Sequence, residues 1–250
     1  MTVVKSEWFA DENFWRDLYV FMFPDNAFAA AEEQVEKIIQ LSGVKSGAAL
    51  DLCCGPGRHI IPLAKRGFQV TAVDRSSFLL EKARARADQE KLSIEFVQSD
   101  MREFRQPETF DLIVNIFTSF GYFEDQNDDL KVLQRVYQNL KSGGVFVLDM
   151  ISKEWLAKNY QSVIATKLEN GALLVQRNEI VDDWTIVKNK WLLLQGRELR
   201  SFDFFDRIYS GQEIKQLLSA AGFQNVRLCG NWDGSPYDIH VKRLIALARK

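Results

Sequence analysis

Leu50-Asp51-Leu52-Cys53-Cys54-Gly55-Pro56-Gly57-Arg58-His59 is the stretch on which the rest of the chain turns. A short apolar run, 48–52, leads into a Gly-Pro-Gly turn. A helical segment over roughly 58–66 leads out and ends at Gly67. Gly55 and Gly57 let the backbone turn sharply and admit a ligand where a Cβ would block it. In open α/β sheets ligands sit beyond the carboxyl ends of the strands, and this loop is such an end.

Outward from that loop, strands and helices alternate. A second strand over 68–73 ends at Asp74, and Ser76 or Ser77 caps a helix running to about Gln89. A third strand, 94–97, ends near Asp100, and a fourth spans 111–115. The stripe Leu130, Leu133, Val136, Tyr137 and Leu140 predicts a helix over 128–140. A turn at Ser142-Gly143-Gly144 then precedes a fifth strand, 145–148. This alternation implies right-handed crossovers and a parallel sheet buried on both faces. Between 163 and 209 the rhythm changes to four antiparallel strands, 163–166, 172–176, 185–188 and 199–204. Asn170-Gly171 and Gln195-Gly196 serve as hairpin turns. A helix over 213–221 and strands over 223–229 and 244–248 resume the α/β pattern, so the meander reads as an insertion. Upstream lie an aromatic region, 8–23, and a helix over 27–41.

The chain has 250 residues, 32 Lys+Arg against 34 Asp+Glu, and 46% hydrophobic residues, a globular composition that excludes a disordered or collagen-like chain. One domain is expected. No apolar run approaches the roughly 18 residues of a membrane span, and no secretory signal is legible at the start. The net charge of −2 argues against a nucleic-acid backbone as the main partner. Cys53, Cys54 and Cys229 form no disulfide framework, and two histidines, His59 and His240, give no zinc spacing. A reduced, cytoplasmic protein without a metal is expected. Cys53 and Cys54 read as small loop residues rather than nucleophiles, and His59 as a helix-positioning group rather than a base.

Three acids stand at successive strand ends. Asp51 before the glycine loop suits an amine better than a phosphate. Asp74, seventeen residues beyond Gly57, can accept from two ribose hydroxyls. Asp100 can accept from an exocyclic amine such as that of adenine. A dinucleotide fingerprint would need a third glycine, and Ile60 stands there.

On these residues the sequence resembles the class I S-adenosylmethionine-dependent methyltransferases of small-molecule type. Asp51 to Gly57 matches the acid-x-G-x-G-x-G motif, with Cys53 replacing the first glycine, so position 53 is expected to need a small residue but no positive φ. Val73-Asp74-Arg75-Ser76 matches the ribose motif and Ser99-Asp100-Met101 the adenine motif. Residues 110–115 and 140–148 match the fourth- and fifth-strand motifs. The resemblance covers 48–150 and is consistent with 223–250. It implies an α/β, doubly wound, Rossmann-like seven-stranded sheet of order 3-2-1-4-5-7-6 with strand seven antiparallel. The antiparallel β insertion falls between strand five and the sixth-strand helix. It further implies one domain over 1–250, with a helical lid over 1–43 and a second lid over 163–209.

S-adenosylmethionine is then the expected cofactor, held by Asp51, Cys53, Gly55 and Gly57, by Asp74 and Arg75, and by Asp100 and Met101. Phe117 would flank adenine, Asn115 would touch the methionine part, and Arg16 and Tyr19 would fold over its end. Phe120 and Tyr122 follow strand four, where the acceptor lies, and Tyr237 would help close that pocket. The implied reaction is in-line methyl transfer to nitrogen or oxygen of a small molecule, with no side chain compelled as catalytic base. A nicotinamide-dependent oxidoreductase and a non-catalytic S-adenosylmethionine-binding module are the alternatives.

Overall fold

The computed structural model describes residues 7–250. In chain order the strands are β1 (Ala48–Leu52), β2 (Gln69–Asp74), β3 (Glu95–Gln98), β4 (Phe110–Asn115), β5 (Leu140–Ile151), β6 (Val163–Lys167), β7 (Leu173–Val181), β8 (Ile186–Gln195), β9 (Glu198–Arg207), β10 (Asn225–Cys229) and β11 (Arg243–Arg249). The helices are α1 (Glu12–Asp17), α2 (Tyr19–Met22), α3 (Asp25–Ala29), α4 (Ala31–Ser42), α5 (Ile60–Lys65), α6 (Ser77–Gln89), α7 (Gln126–Asn139), α8 (Lys153–Asn159) and α9 (Gly211–Ala220).

Seven strands form one sheet in the order β3-β2-β1-β4-β5-β11-β10. β11 runs antiparallel to both of its neighbours, and the remaining pairings are parallel. This is the topology the sequence implies. Successive residues of each strand enter opposite half-cores, as a two-residue period requires. In β4, Leu112 and Val114 join Val35 and Ile38 of α4 and Leu63 of α5. Ile113 between them joins Val132, Leu133 and Val136 of α7. With helices on both faces, the central strands are mostly apolar, and buried polar residues such as Asp51, Asp74 and Asn115 fall at or near their carboxyl ends. No helix among the described residues is long and apolar enough to cross a membrane.

Local differences from the sequence reading have physical causes. The expected helix over 27–41 is broken at Ala30, which caps α4. Ser142-Gly143-Gly144 is not a free turn, because the chain end pairs with it: Gly143 N–H donates to Lys250 O at 2.9 Å, and Lys250 N–H to Gly144 O at 3.0 Å. The sequence reading missed α8, whose start is marked by Ser152 Oγ accepting from Trp155 N–H at 3.1 Å.

The insertion is a separate four-stranded antiparallel sheet, β6-β7-β8-β9. Asn170-Gly171 and Gln195-Gly196 lie at its turns, as the sequence predicts. One face of this sheet packs on the N-terminal segment: Phe14 meets Phe202 and Phe204, Phe21 meets Trp191, and Trp8 Nε1 donates to Phe205 O at 3.0 Å. A second tie runs from the end of β9 to α7. Tyr209, 1% exposed, donates its hydroxyl to Asp129 Oδ2 at 2.6 Å, and Asp129 is fully buried.

Tyr209→Phe therefore strands a buried carboxylate, with Arg207 Nε 3.8 Å away as its remaining cation. It should lower the unfolding free energy by about 1–3 kcal/mol, measured by urea denaturation. An unchanged midpoint would show that the Asp129 tie contributes nothing.

Candidate active site

The loop after β1 is held open by three residues with left-handed backbone: Cys53 (φ +65°), Gly55 (φ +55°) and Gly57 (φ +87°). The expectation for position 53 is thus corrected. Cys53 does take positive φ, a strain of about 1–3 kcal/mol that its surroundings must over-determine. They do so through β2. Cys54 N–H donates to Val73 O at 2.9 Å, and Gly55 N–H donates to Asp74 Oδ2 at 2.8 Å. Asp74 Oδ1 accepts from Ser76 N–H at 2.9 Å, so one carboxylate fixes both the loop and the start of α6.

Over this loop lies a cavity partly open to solvent. On its wall are Asp51, Cys53, Gly55 and Asp74, together with Arg75, Asp100, Met101 and Phe117. These are eight of the expected cofactor residues. Asp51 is 2% exposed, and its Oδ2 has no hydrogen-bond partner. Desolvation raises its carboxyl to about 7 against the opposing charge of Arg58. Asp74 is raised to about 6 by burial, despite the amides it accepts from. Asp100 differs. Burial works to raise it, but Arg102 and Arg75 outweigh that and hold it below the ordinary range. Its Oδ2 accepts from both arginines at 2.7 Å, and its Oδ1 from Arg102 N–H at 2.9 Å.

Arg58 went unnoticed in the sequence. Its guanidinium lies 3.4 Å from the Phe117 ring centroid, and its Nε is buried without a partner. Burial draws its value down to about 10. A cation and an acid, both short of partners, therefore share one wall of the cavity. Burial of unpaired polar atoms is costly, which marks this end as built for a ligand.

The neighbouring thiols are held in the protonated form. Burial pushes Cys53 and Cys54 well up, and Asp74 and Asp51 add to it. His59 is 3% exposed, stacks on Phe117 and has Nε2 2.9 Å from Gln34 Oε1 of α4. Burial and Arg58 push it well down, so it is neutral and ties α4 to the loop. Among the described residues no cluster could hold a metal.

Other expected site residues lie off the wall. Gly57 faces α6, where a Cβ would come within 3.1 Å of Ala83 and Ile60. Asn115 sits behind the loop, its Nδ2 donating to Leu52 O at 2.9 Å. Arg16 and Tyr19 turn onto α6: Arg16 covers the Phe78 ring at 4.4 Å, and Tyr19 meets its edge. Trp15 and Met22 of the same segment are on the wall instead, with Phe9 and Phe23. Phe120 is 1% exposed and packs on Tyr209. Tyr237 is held away by Ser152 Oγ at 2.9 Å and by Glu154. Of the three acceptor candidates only Tyr122 is on the wall.

Two acids tie the N-terminal segment down. Glu7 takes one bond each from Arg75 and Arg102, both 2.8 Å, the arginines that grip Asp100. Glu12 reaches the start of α6, accepting from Ser76 Oγ and Ser77 N–H, both at 2.8 Å.

Asp51, Asp74 and Asp100 at the ends of β1, β2 and β3 fit an amine, a ribose and a purine in that order, and the orphaned Asp51 oxygen and Arg58 nitrogen fit an amino acid end. The comparisons with known proteins bear on the family. A family model described as a methyltransferase domain matches residues 49–144. The chain is 34% identical over 210 residues to a glycine/sarcosine N-methyltransferase of Aphanothece halophytica, covering 78% of this chain and 75% of that one. It is 28% identical over 228 residues to YqeM of Bacillus subtilis (strain 168), whose name describes it as a methyltransferase, covering 88% and 91%. A crystal structure of an S-adenosylmethionine-dependent methyltransferase from Clostridium acetobutylicum ATCC 824 shares the fold, with a TM-score of 0.78 at 20% identity over 95% of this chain and 97% of that one.

The raised acids predict a pH dependence. A carboxyl raised from 3.8 to about 7 or about 6 keeps its proton in the fold after the unfolded chain has lost it. Without ligand, stability therefore falls as pH rises from about 4 to about 7. Asp51→Asn should flatten that fall and raise the melting temperature at pH 8. Thermal melts across this range check it, and parallel curves for the two proteins would refute it.

Proposed function

This chain belongs to the class I S-adenosylmethionine-dependent methyltransferases, and we propose that it methylates a small molecule at nitrogen or oxygen, an amine nitrogen being favoured. The observation that carries the reading is the pair of groups without partners on one cavity wall, the Asp51 carboxylate and the Arg58 guanidinium. S-adenosylmethionine, when bound, supplies an electrophilic methyl group on a positively charged sulfur. Its amino acid end offers an ammonium for Asp51 and a carboxylate for Arg58. Asp74 would take the ribose hydroxyls and Met101 would lie against the adenine, while Asp100, whose oxygens hold Arg75 and Arg102, would meet the adenine amine only by giving up one of those bonds.

In-line displacement at that methyl group disperses charge rather than creating it, so alignment and exclusion of water suffice. Phe9, Trp15 and Tyr122 supply an aromatic wall suited to a cation. The thiols are protonated and His59 is neutral and engaged with Gln34, so this end of the cavity holds no evident base. An acceptor that is nucleophilic by itself, an amine, needs none there. The glycine/sarcosine N-methyltransferase among the relatives supports nitrogen.

Calorimetric titration with S-adenosylhomocysteine, with NAD and NADP alongside, tests the cofactor. Saturable binding of the first alone is expected, and binding of a nicotinamide alone would overturn the reading. Arg58→Gln should weaken S-adenosylhomocysteine by about tenfold or more, the loss of a charged hydrogen bond. It should leave 5′-methylthioadenosine, which lacks the amino acid end, unchanged. Equal losses for both compounds would remove Arg58 from the carboxylate.

A further inference from the structure

Arg207 N–H donates to Gly121 O at 2.7 Å. This bond docks the end of β9 against the loop that follows β4 and brings Asp206 near Tyr122, each one residue from the bonded pair. Asp206 lies on the face of β9 that also carries Phe202 and Phe204, by the alternation of a strand. That is the face on which Trp8 and Phe14 pack. Trp8 in turn touches Tyr122, with ring centroids 4.6 Å apart.

An acid is out of character on this aromatic face. Its partner across the ladder is Val187. It makes no ion pair among the described residues, and its hydrogen bond there is from Asn189 Nδ2 to Oδ2 at 2.9 Å. Asn189 is itself 7% exposed, and among the described residues the carboxylate is hydrogen-bonded through Oδ2, with no bond to Oδ1. Desolvation raises Asp206 to about 7, opposed by the Asn189 bond. Tyr122 is on the cavity wall with Ser119. Burial raises its hydroxyl, and the neighbouring charge that adds most is Asp206.

We propose that Asp206, with Tyr122 and Ser119, forms the acceptor subsite, and that this subsite takes a protonated amine. The proposal rests on the methyltransferase reading and deepens it. Oδ1 accepts an N–H of the ammonium, while the Tyr122 and Ser119 hydroxyls offer polar partners for the rest of the molecule. A proton passes from the ammonium nitrogen to the Asp206 carboxylate: the N–H bond breaks, an O–H bond forms, and the electron pair stays on nitrogen. The acceptor then carries the lone pair that methylation requires, and Asp206 is the neutral acid. An anionic acceptor would meet the charge of Asp206, and a neutral alcohol would leave that charge unmatched.

The test uses three probes on one two-carbon frame: ethanolamine, ethylene glycol and glycolate. S-adenosylhomocysteine is titrated first into wild type and Asp206→Asn. Equal binding to both is expected, and failure to bind wild type would overturn the methyltransferase reading rather than the subsite. Each probe is then titrated into the S-adenosylhomocysteine complex and followed by ligand-observed NMR. Ethanolamine should bind about tenfold more tightly than either of the others, and Asp206→Asn should abolish that preference. Tyr122→Phe should reduce it less. No preference for ethanolamine in wild type, or a preference that survives Asp206→Asn, overturns the proposal. Should Asp206→Asn not fold, the wild-type order of the three probes decides alone.

Discussion

The Asp74 carboxylate is shared between two backbone amides, Gly55 N–H and Ser76 N–H. Through the first it holds a loop whose backbone is left-handed at three of five positions. Through the second it sets the direction in which α6 leaves the sheet. β1 and β2 are adjacent and parallel, so this side chain is the shortest bridge between their two carboxyl-end loops. The cavity exists because those loops are held apart at this spacing. A carboxylate is the residue type that can do this: it accepts twice, once per oxygen, and still has lone pairs for a ligand.

The same wall shows where folding and function pull apart. Asp51 and Arg58 keep buried polar atoms without partners, and Asp206, outside the lining but near Tyr122, makes its hydrogen bond among the described residues through one oxygen on an aromatic face. A core built for stability alone would not leave these groups in place. Asp100 is the contrast. Arg75 and Arg102 satisfy it fully, and its carboxyl is correspondingly held low. The cavity thus has a saturated end under β3 and an unsatisfied end under β1.

Much of this was legible in the sequence, and the reasons differ by residue. β1 was read at its observed bounds because an apolar run met a Gly-Pro-Gly turn, a local signal. The order of the seven strands followed from a family resemblance carried by motifs at strand ends. The pairing of Gly143 with Lys250 was not legible, since it joins residues far apart in sequence. Nor was the backbone at Cys53, because side-chain size and φ are separate requirements and the missing glycine spoke only to the first. Arg16 and Tyr19 were chosen because the resemblance implies an N-terminal segment folded over the end of the cofactor. Both pack on Phe78 of α6, and Trp15 and Met22 face the cavity in their place. Phe120 and Tyr122, two residues apart, show the same lesson: one is sealed under Tyr209 and one faces the cavity.

Glu7 and Glu12 fasten the N-terminal segment at two points of unequal strength. The Glu7 ion pairs are partly exposed, with the acid side chain 45% accessible, and such pairs contribute about 0–1 kcal/mol each and are screened by salt. Glu12 sits at the amino end of α6, where backbone amides and the helix dipole favour a negative charge, and it is bonded to Ser76 and Ser77 together. Dissolved ions compete with the outer fastening far more than with the inner one. The bonds that hold Glu7, two residues before Phe9 on the cavity wall, are therefore ones that dissolved salt weakens, while those that hold Glu12 at α6 are ones it reaches less.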